Sequence, residues 1–151
     1  MIEISTVEKL DVTLAVPGSK SLTQRALIGA SLADGTSKLI GPLDSEDTEY
    51  SSAALAQMGM KIEKGEDVWT VTGQAGKIGN TLEPIFLGNN GTATRFLTSV
   101  CSLGDGPFII DGDKRMYERP IDPLMQALQG WGVDINSMKG TGCPPLAING
   151  S

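Results

Sequence analysis

The chain repeats itself, and a repeat constrains architecture more tightly than any single motif does. The run PGSKSLTQRALIGASLADGTSKLIGPL, followed by SEDTEYSSAALAQMGMKIE, is matched in order by LGNNGTATRFLTSVCSLGDGPFIIDGD and then ERPIDPLMQALQGWGVDIN. Arg25 and Arg95 stand 70 residues apart, as do the pairs Leu39-Ile40 and Ile109-Ile110. Met58-Gly59 and Trp131-Gly132 are 73 apart, so the second copy carries a small insertion. Residues 17–80 and 81–151 read as the two units, preceded by a strand segment over 1–16.

Each unit reads as strand, helix, strand, helix, strand, strand. Asp11–Val16 alternates polar and apolar residues as a strand does, and Leu22, Ala26, Leu27 and Ala30 sit at helical spacing within Ser21–Leu32 before Asp34-Gly35 stops the turn. Lys38–Leu43 is a predicted strand. Ser45 precedes Glu46, Asp47 and Glu49, acids that suit the positive end of a helix running through Met58. Lys61–Glu63 and Val68–Thr72 form an expected hairpin. The second unit repeats the order with strand Glu83–Leu87, helix Thr92–Ser102, strand Pro107–Asp111, helix Ile121–Gln129 and strands Asp134–Ser137 and Leu146–Ile148. Strands flanked by helices define an α/β fold made of α+β repeat units, with helices covering a sheet face.

Composition excludes several chemistries. The chain has no histidine, which removes Ser-His-Asp and Cys-His catalysis and His-ligated metal from its repertoire. Cys101 and Cys143 form no C-x-x-C pair and read as incidental thiols. A net charge of −6 has the wrong sign for neutralising nucleic-acid phosphates, and no apolar stretch reaches the ~20 residues of a membrane span. The acidic start lacks the pattern of a secretory signal, so the expected address is cytoplasmic. Yet Arg25, Arg95, Arg115 and Arg119, which are all the arginines, fall in three short Gly/Pro-marked segments together with Lys20 and Lys114. An acidic chain that concentrates its guanidinium groups is arranged for a small anion.

The first segment, Pro17–Arg25, leaves a predicted strand through a Gly turn and opens a helix. Free backbone N–H groups and the positive helix end then point at one spot, with Lys20 at the mouth and Ser21 and Arg25 on one helical face at i and i+4. The spacing is not that of a P-loop. In the second segment, Leu87–Arg95, Gly88 and Gly91 permit close backbone approach, Asn89 offers donor and acceptor, and Thr92 is the expected helix cap. The third, Asp111–Pro120, sets Arg115 and Arg119 four residues apart beside Asp113 and Glu118. Each segment taken alone also reads blandly, as a capped helix, an ordinary turn or a solvated charge run.

Together, PGSKSLTQRAL, LGNNGTATRFLTS, DKRMYERPIDPLMQAL and GCPPL resemble the N-terminal part of the 5-enolpyruvylshikimate-3-phosphate synthase family, the 3-phosphoshikimate 1-carboxyvinyltransferases. The resemblance runs through nearly the whole chain. It implies the inside-out α/β fold of enolpyruvyl transferases, here as an incomplete domain, with segment 1–16 belonging to the other domain. The implied reaction moves the enolpyruvyl group of phosphoenolpyruvate to the 5-hydroxyl of shikimate 3-phosphate and releases phosphate, with glyphosate as inhibitor and no cofactor or metal. By motif, Lys20 would touch both substrates and act in catalysis, while Ser21, Arg25 and Thr92 would bind shikimate 3-phosphate. Asn89, Gly91 and Arg115 would line the phosphoenolpyruvate or glyphosate site, and Arg95 and Arg119 would be mainly structural. Asn90 stands where the family commonly has Ala or Ser, so crowding of the Gly91 turn is expected.

The family's later acid, lysine and arginine residues have no counterpart here, so the chain alone is expected to lack appreciable synthase activity and to need the missing C-terminal part. A noncatalytic anion-binding module or remnant is the competing reading. The related UDP-N-acetylglucosamine enolpyruvyl transferases fit less well, because Ser21 replaces their Asn and the loop Asp111–Pro120 lacks their Cys.

Overall fold

The computed structural model describes residues 2–150; Met1 and Ser151, which the two outermost predicted segments include, lie outside the described residues. Helix α1 spans Lys20–Leu32, followed by β1 (Asp34–Ile40), α2 (Glu46–Gln57), β2 (Lys61–Lys64) and β3 (Val68–Gln74). Strand β4 (Ile85–Phe86), α3 (Gly91–Cys101), β5 (Pro107–Asp111), a 3-10 turn (Met116–Glu118), α4 (Asp122–Gly130), β6 (Asp134–Ser137) and β7 (Leu146–Asn149) complete the order. The strands form two sheets. In the first, β1 and β2 pair antiparallel on either side of β3. In the second the order is β4-β5-β7-β6, with β4 parallel to β5 and the other pairs antiparallel. Thus β5-β7-β6 repeats β1-β3-β2, and β4 is the strand that only the second sheet has.

Local chemistry sets the helix ends. Ser19 caps α1 by accepting from the Leu22 N–H, and Ser45 caps α2 in a reciprocal box with Thr48. Gly59 follows α2 at φ +97°, a left-handed torsion that ends the helix cheaply only for glycine. Trp69 and Val71 of β3, Leu27 of α1 and Leu55 and Met58 of α2 close the core over the first sheet. Leu97 of α3, Phe108, Ile110, Leu146 and Ile148 do the same over the second. Each such side chain contributes about 2 kcal/mol when fully removed from water.

The helix faces keep the 70-residue spacing: Leu27 and Leu97, Ala30 and Val100, and Ser31 and Cys101 are buried alike. The strands do not keep it. Ile40 is 84% exposed whereas Ile110 is fully buried, and Leu39 packs against the core in its place. One more residue in the turn before β5 shifts the strand register to 71, because a one-residue slip exchanges the two faces of a strand.

Several boundaries move. Lys38–Leu43 is replaced by Asp34–Ile40, since pairing of Asp34 and Gly35 with Gln74 and Gly73 overrides their turn tendency, while Gly41 at φ +61° and Pro42 end the strand early. Glu83–Leu87 contracts to two residues. Thr92 does not cap α3: the helix begins earlier, and Asn90 accepts from the Ala93 N–H instead. Asp11–Val16 is not a strand in this structure, because no described strand edge pairs with it and alternation alone satisfies none of its backbone groups.

Candidate functional site

The three arginine-bearing segments meet at one end of the helical layer, where α1, α2 and α3 begin. Lys20 is the first residue of α1, and its Nζ lies 2.6 Å from the Asp47 carboxylate in the first turn of α2. The Asp47 carbonyl accepts from the Asn90 amide at 2.8 Å and from the Gln24 amide at 3.3 Å. Both amides also reach the Ser51 hydroxyl. Asp47 therefore ties the mouth of α1 to the mouth of α3. The buried amides of Gln24 and Asn90 fix the spacing between the two loops.

Arg25 donates to the Ser21 carbonyl at 2.9 Å and to the Ser21 hydroxyl, and its guanidinium lies 5.1 Å above the Phe96 ring. The i, i+4 pairing read from sequence is present, and α3 supplies a floor that spacing alone did not reveal. On the second loop, Arg95 donates to the carbonyls of Gly91 (3.0 Å) and Pro120 (3.1 Å), and Arg119 donates to the Asn89 carbonyl at 3.3 Å. These two arginines lace the second segment to the third. A Cβ on Gly91 would come within 2.8 Å of Arg119 Nη1, so this glycine makes room for the lacing. Gly88 has φ +53°, and a Cβ there would lie 2.6 Å from the Tyr50 ring.

Asp113 donates its backbone N–H to the Gly88 carbonyl, which holds the third segment beside the second. Arg115 is exposed there, its backbone N–H bonded to the Asp113 carboxylate. Among the described residues its guanidinium makes no hydrogen bond or ion pair, so it stays available. Asn89 is exposed and Thr92 half-buried at the same mouth. Neither α1 nor α3 has an acid in its first turn, leaving the positive ends of both helices uncompensated, whereas Glu46, Asp47 and Glu49 offset that of α2. Loss of water around the Tyr50 ring and the neighbouring Glu46 both push the Tyr50 hydroxyl above its usual range. A hydrogen bond to Asp111 does the same for Tyr117.

Sequence reasoning missed two features. The acids after Ser45 read as helix-end charges, and nothing local announced that Asp47 reaches Lys20. Asn90 read as a source of crowding in the turn. It is 2% exposed, with its amide turned inward against α2, so its side chain takes no space at the mouth.

Two repeat units whose glycine loops and helix mouths share a set of cations define an α/β repeat protein with a cationic mouth. The chain belongs to the EPSP synthase (3-phosphoshikimate 1-carboxyvinyltransferase) family, a family of enolpyruvyl transferases, whose family model matches residues 4–151. It is 48% identical over 135 residues to the 3-phosphoshikimate 1-carboxyvinyltransferase of Rhizobium etli, covering 89% of this chain and 32% of that protein. The Pseudomonas syringae pv. tomato enzyme of the same name is 48% identical over 134 residues, with the same coverage. The fold matches EPSP synthase from Acinetobacter baumannii with a TM-score of 0.86 at 28% identity, over 91% of this chain and 32% of that one. The chain thus spans about a third of the length of the relatives it matches. No helix among the described residues is long and apolar enough to cross a membrane.

Proposed function

We propose that this chain provides one side of an enolpyruvyl transferase site, which takes shikimate 3-phosphate and phosphoenolpyruvate, transfers the enolpyruvyl group of the latter to the 5-hydroxyl of the former and releases phosphate. Residues 17–80 and 81–151 serve as two repeat units of one domain, and segment 1–16 serves a neighbouring domain. Lys20, Ser21, Arg25 and Thr92 bind shikimate 3-phosphate. Lys20, Asn89, Gly91 and Arg115 receive phosphoenolpyruvate, or glyphosate as inhibitor. Lys20 carries the catalytic charge shared by both. The location is cytoplasmic, and the remaining part of the transferase is the protein partner.

The observation that carries this reading is the joining of the three cationic segments through Asp47, Asn90 and Arg119 in a chain of this family. Two multiply anionic substrates repel one another in water, so holding them side by side requires cations and backbone donors that are already oriented. The Lys20–Asp47 pair is half exposed on its lysine side and contributes no more than about 1 kcal/mol. An arriving phosphate therefore displaces the carboxylate at little cost. Arg25 arrives pre-oriented by Ser21 and Phe96.

A ligand that binds only the folded chain raises its stability by mass action. Shikimate 3-phosphate at a hundredfold excess over its dissociation constant is expected to stabilise the chain by about 2.7 kcal/mol, read as a rise in melting temperature. Arg25→Ala should remove that rise while leaving the unliganded melting point near the parent's. A melting point insensitive to the ligand up to millimolar concentration would favour the noncatalytic remnant.

A further inference from the structure

Arg25 and Arg95 hold the same place in the two repeats, and each turns Nη1 back to the carbonyl four residues earlier, that of Ser21 at 2.9 Å and that of Gly91 at 3.0 Å. Beyond that bond they part. Arg95 also donates from Nη2 to the Pro120 carbonyl at 3.1 Å, so two sides of its guanidinium are tied to backbone. Arg25 adds only the Ser21 hydroxyl, again from Nη1, and among the described residues its Nη2 and Nε donate to nothing. The ring of Phe96, 5.1 Å from the guanidinium carbon, holds it on the other side.

A carbonyl and an aromatic face do different things to an arginine. The carbonyl takes one of the five N–H groups out of use, whereas the π face attracts the cation and leaves its in-plane donors free. The guanidinium is then fixed in direction with its outer N–H groups open, the state in which a carboxylate or phosphate makes a bidentate contact. Among the described residues no acid pairs with Arg25, so an arriving anion displaces nothing there, while Lys20 must release Asp47. Phe96 is half-buried on α3, and α1 has only Ala26 at the corresponding position. The ring is therefore a contribution of the second unit to the first.

We propose that Phe96 is a positioning residue for shikimate 3-phosphate: it holds the Arg25 guanidinium of the first unit in the direction that receives the anion. The proposal rests on the assignment of Arg25 to that ligand. Without the ring, Arg25 regains rotamers that binding must then freeze out, so the loss appears in affinity.

In proton–nitrogen spectra of the full chain without ligand, the Arg25 Nε–H signal, identified by its absence from Arg25→Ala, should show an upfield ring-current displacement. Phe96→Tyr should keep that displacement. Phe96→Leu and Phe96→Met, two variants that supply apolar bulk without a π face, should each abolish it. Phe96 lies outside the core cluster, so the unliganded melting temperatures should stay close to the parent's. Titration with shikimate 3-phosphate should give a dissociation constant raised about two- to fivefold in the Leu and Met variants, as the loss of one exposed cation–π contact predicts, and unchanged in Phe96→Tyr. An Arg25 signal indifferent to Phe96→Leu and Phe96→Met overturns the proposal. So does a parent that binds the ligand no better than these variants, or an equal loss of affinity in Phe96→Tyr. A parent that leaves shikimate 3-phosphate unbound while Arg25 keeps its ring-current displacement overturns instead the assignment of the ligand, and the proposal falls with it.

Discussion

Cys101 sits at the end of α3, fully enclosed, with its Sγ 3.9 Å from the Met58 sulfur. Burial penalises the thiolate and pushes the thiol up to about 12 from an ordinary value near 9. The unfolded chain gives up this proton near pH 9 and the folded chain retains it, so between pH 9 and 12 folding stability falls as pH rises. The slope attributable to Cys101 approaches about 1.4 kcal/mol per pH unit. Urea unfolding of the parent and of Cys101→Ala across pH 8 to 11 should give curves that converge as pH rises, the parent losing stability faster. Parallel curves would show that the site is wetter than the packing indicates. At this scale the sequence was legible where partners are close along the chain. Ser21 and Arg25 are four apart, and their contact follows from helix geometry. Lys20 and Asp47 are 27 apart on different helices, and no spacing rule reaches that far.

The elements differ in how much of their position is written locally. Helices α1 and α2 announce their starts through Ser19 and Ser45, each accepting from its own first turn. Helix α3 hides its start, because the cap is Asn90 rather than the hydroxyl of Thr92, and the same side chain is spent on a contact with α2. That double use makes Asn90 an element-level residue. Asn90→Ala removes a cap, at about 1 kcal/mol, and a buried hydrogen bond between helices, at about 1 kcal/mol more. Chemical denaturation should therefore register a loss of about 2 kcal/mol. Asn90→Ser, which keeps a capping oxygen but is too short to reach the Asp47 carbonyl, should lose about half as much. Equal losses in the two variants would place all of the energy in the interhelical bond. Strand limits were less legible, since β1 begins on Asp34 and Gly35, two poor strand residues held there by β3. Asp11–Val16 has strand patterning without an edge to receive it, and pattern describes a face without supplying a partner.

At the scale of the molecule, the duplication visible in the sequence accounts for the two sheets and for the meeting of their loops at one end. It does not account for the open edge of β1, which appears only when the two units are compared in space. On the proposed reading the cations gathered at the helix mouths orient the anionic substrates, and the rest of the transferase supplies the groups that move the protons. Lys20 is held by Asp47, and Arg115 is a fixed charge. The chain alone should therefore release no phosphate from phosphoenolpyruvate and shikimate 3-phosphate. Mixed with a polypeptide supplying the other two-thirds of a relative, it should do so, and Lys20→Met or Arg115→Ala in this chain should abolish the gain while the two polypeptides still associate. Turnover by the chain alone would mean that these cations carry out the proton transfers unaided. A folded mixture that binds shikimate 3-phosphate without turnover would confine the chain to anion binding, because the cations would then orient the substrate without completing the chemistry.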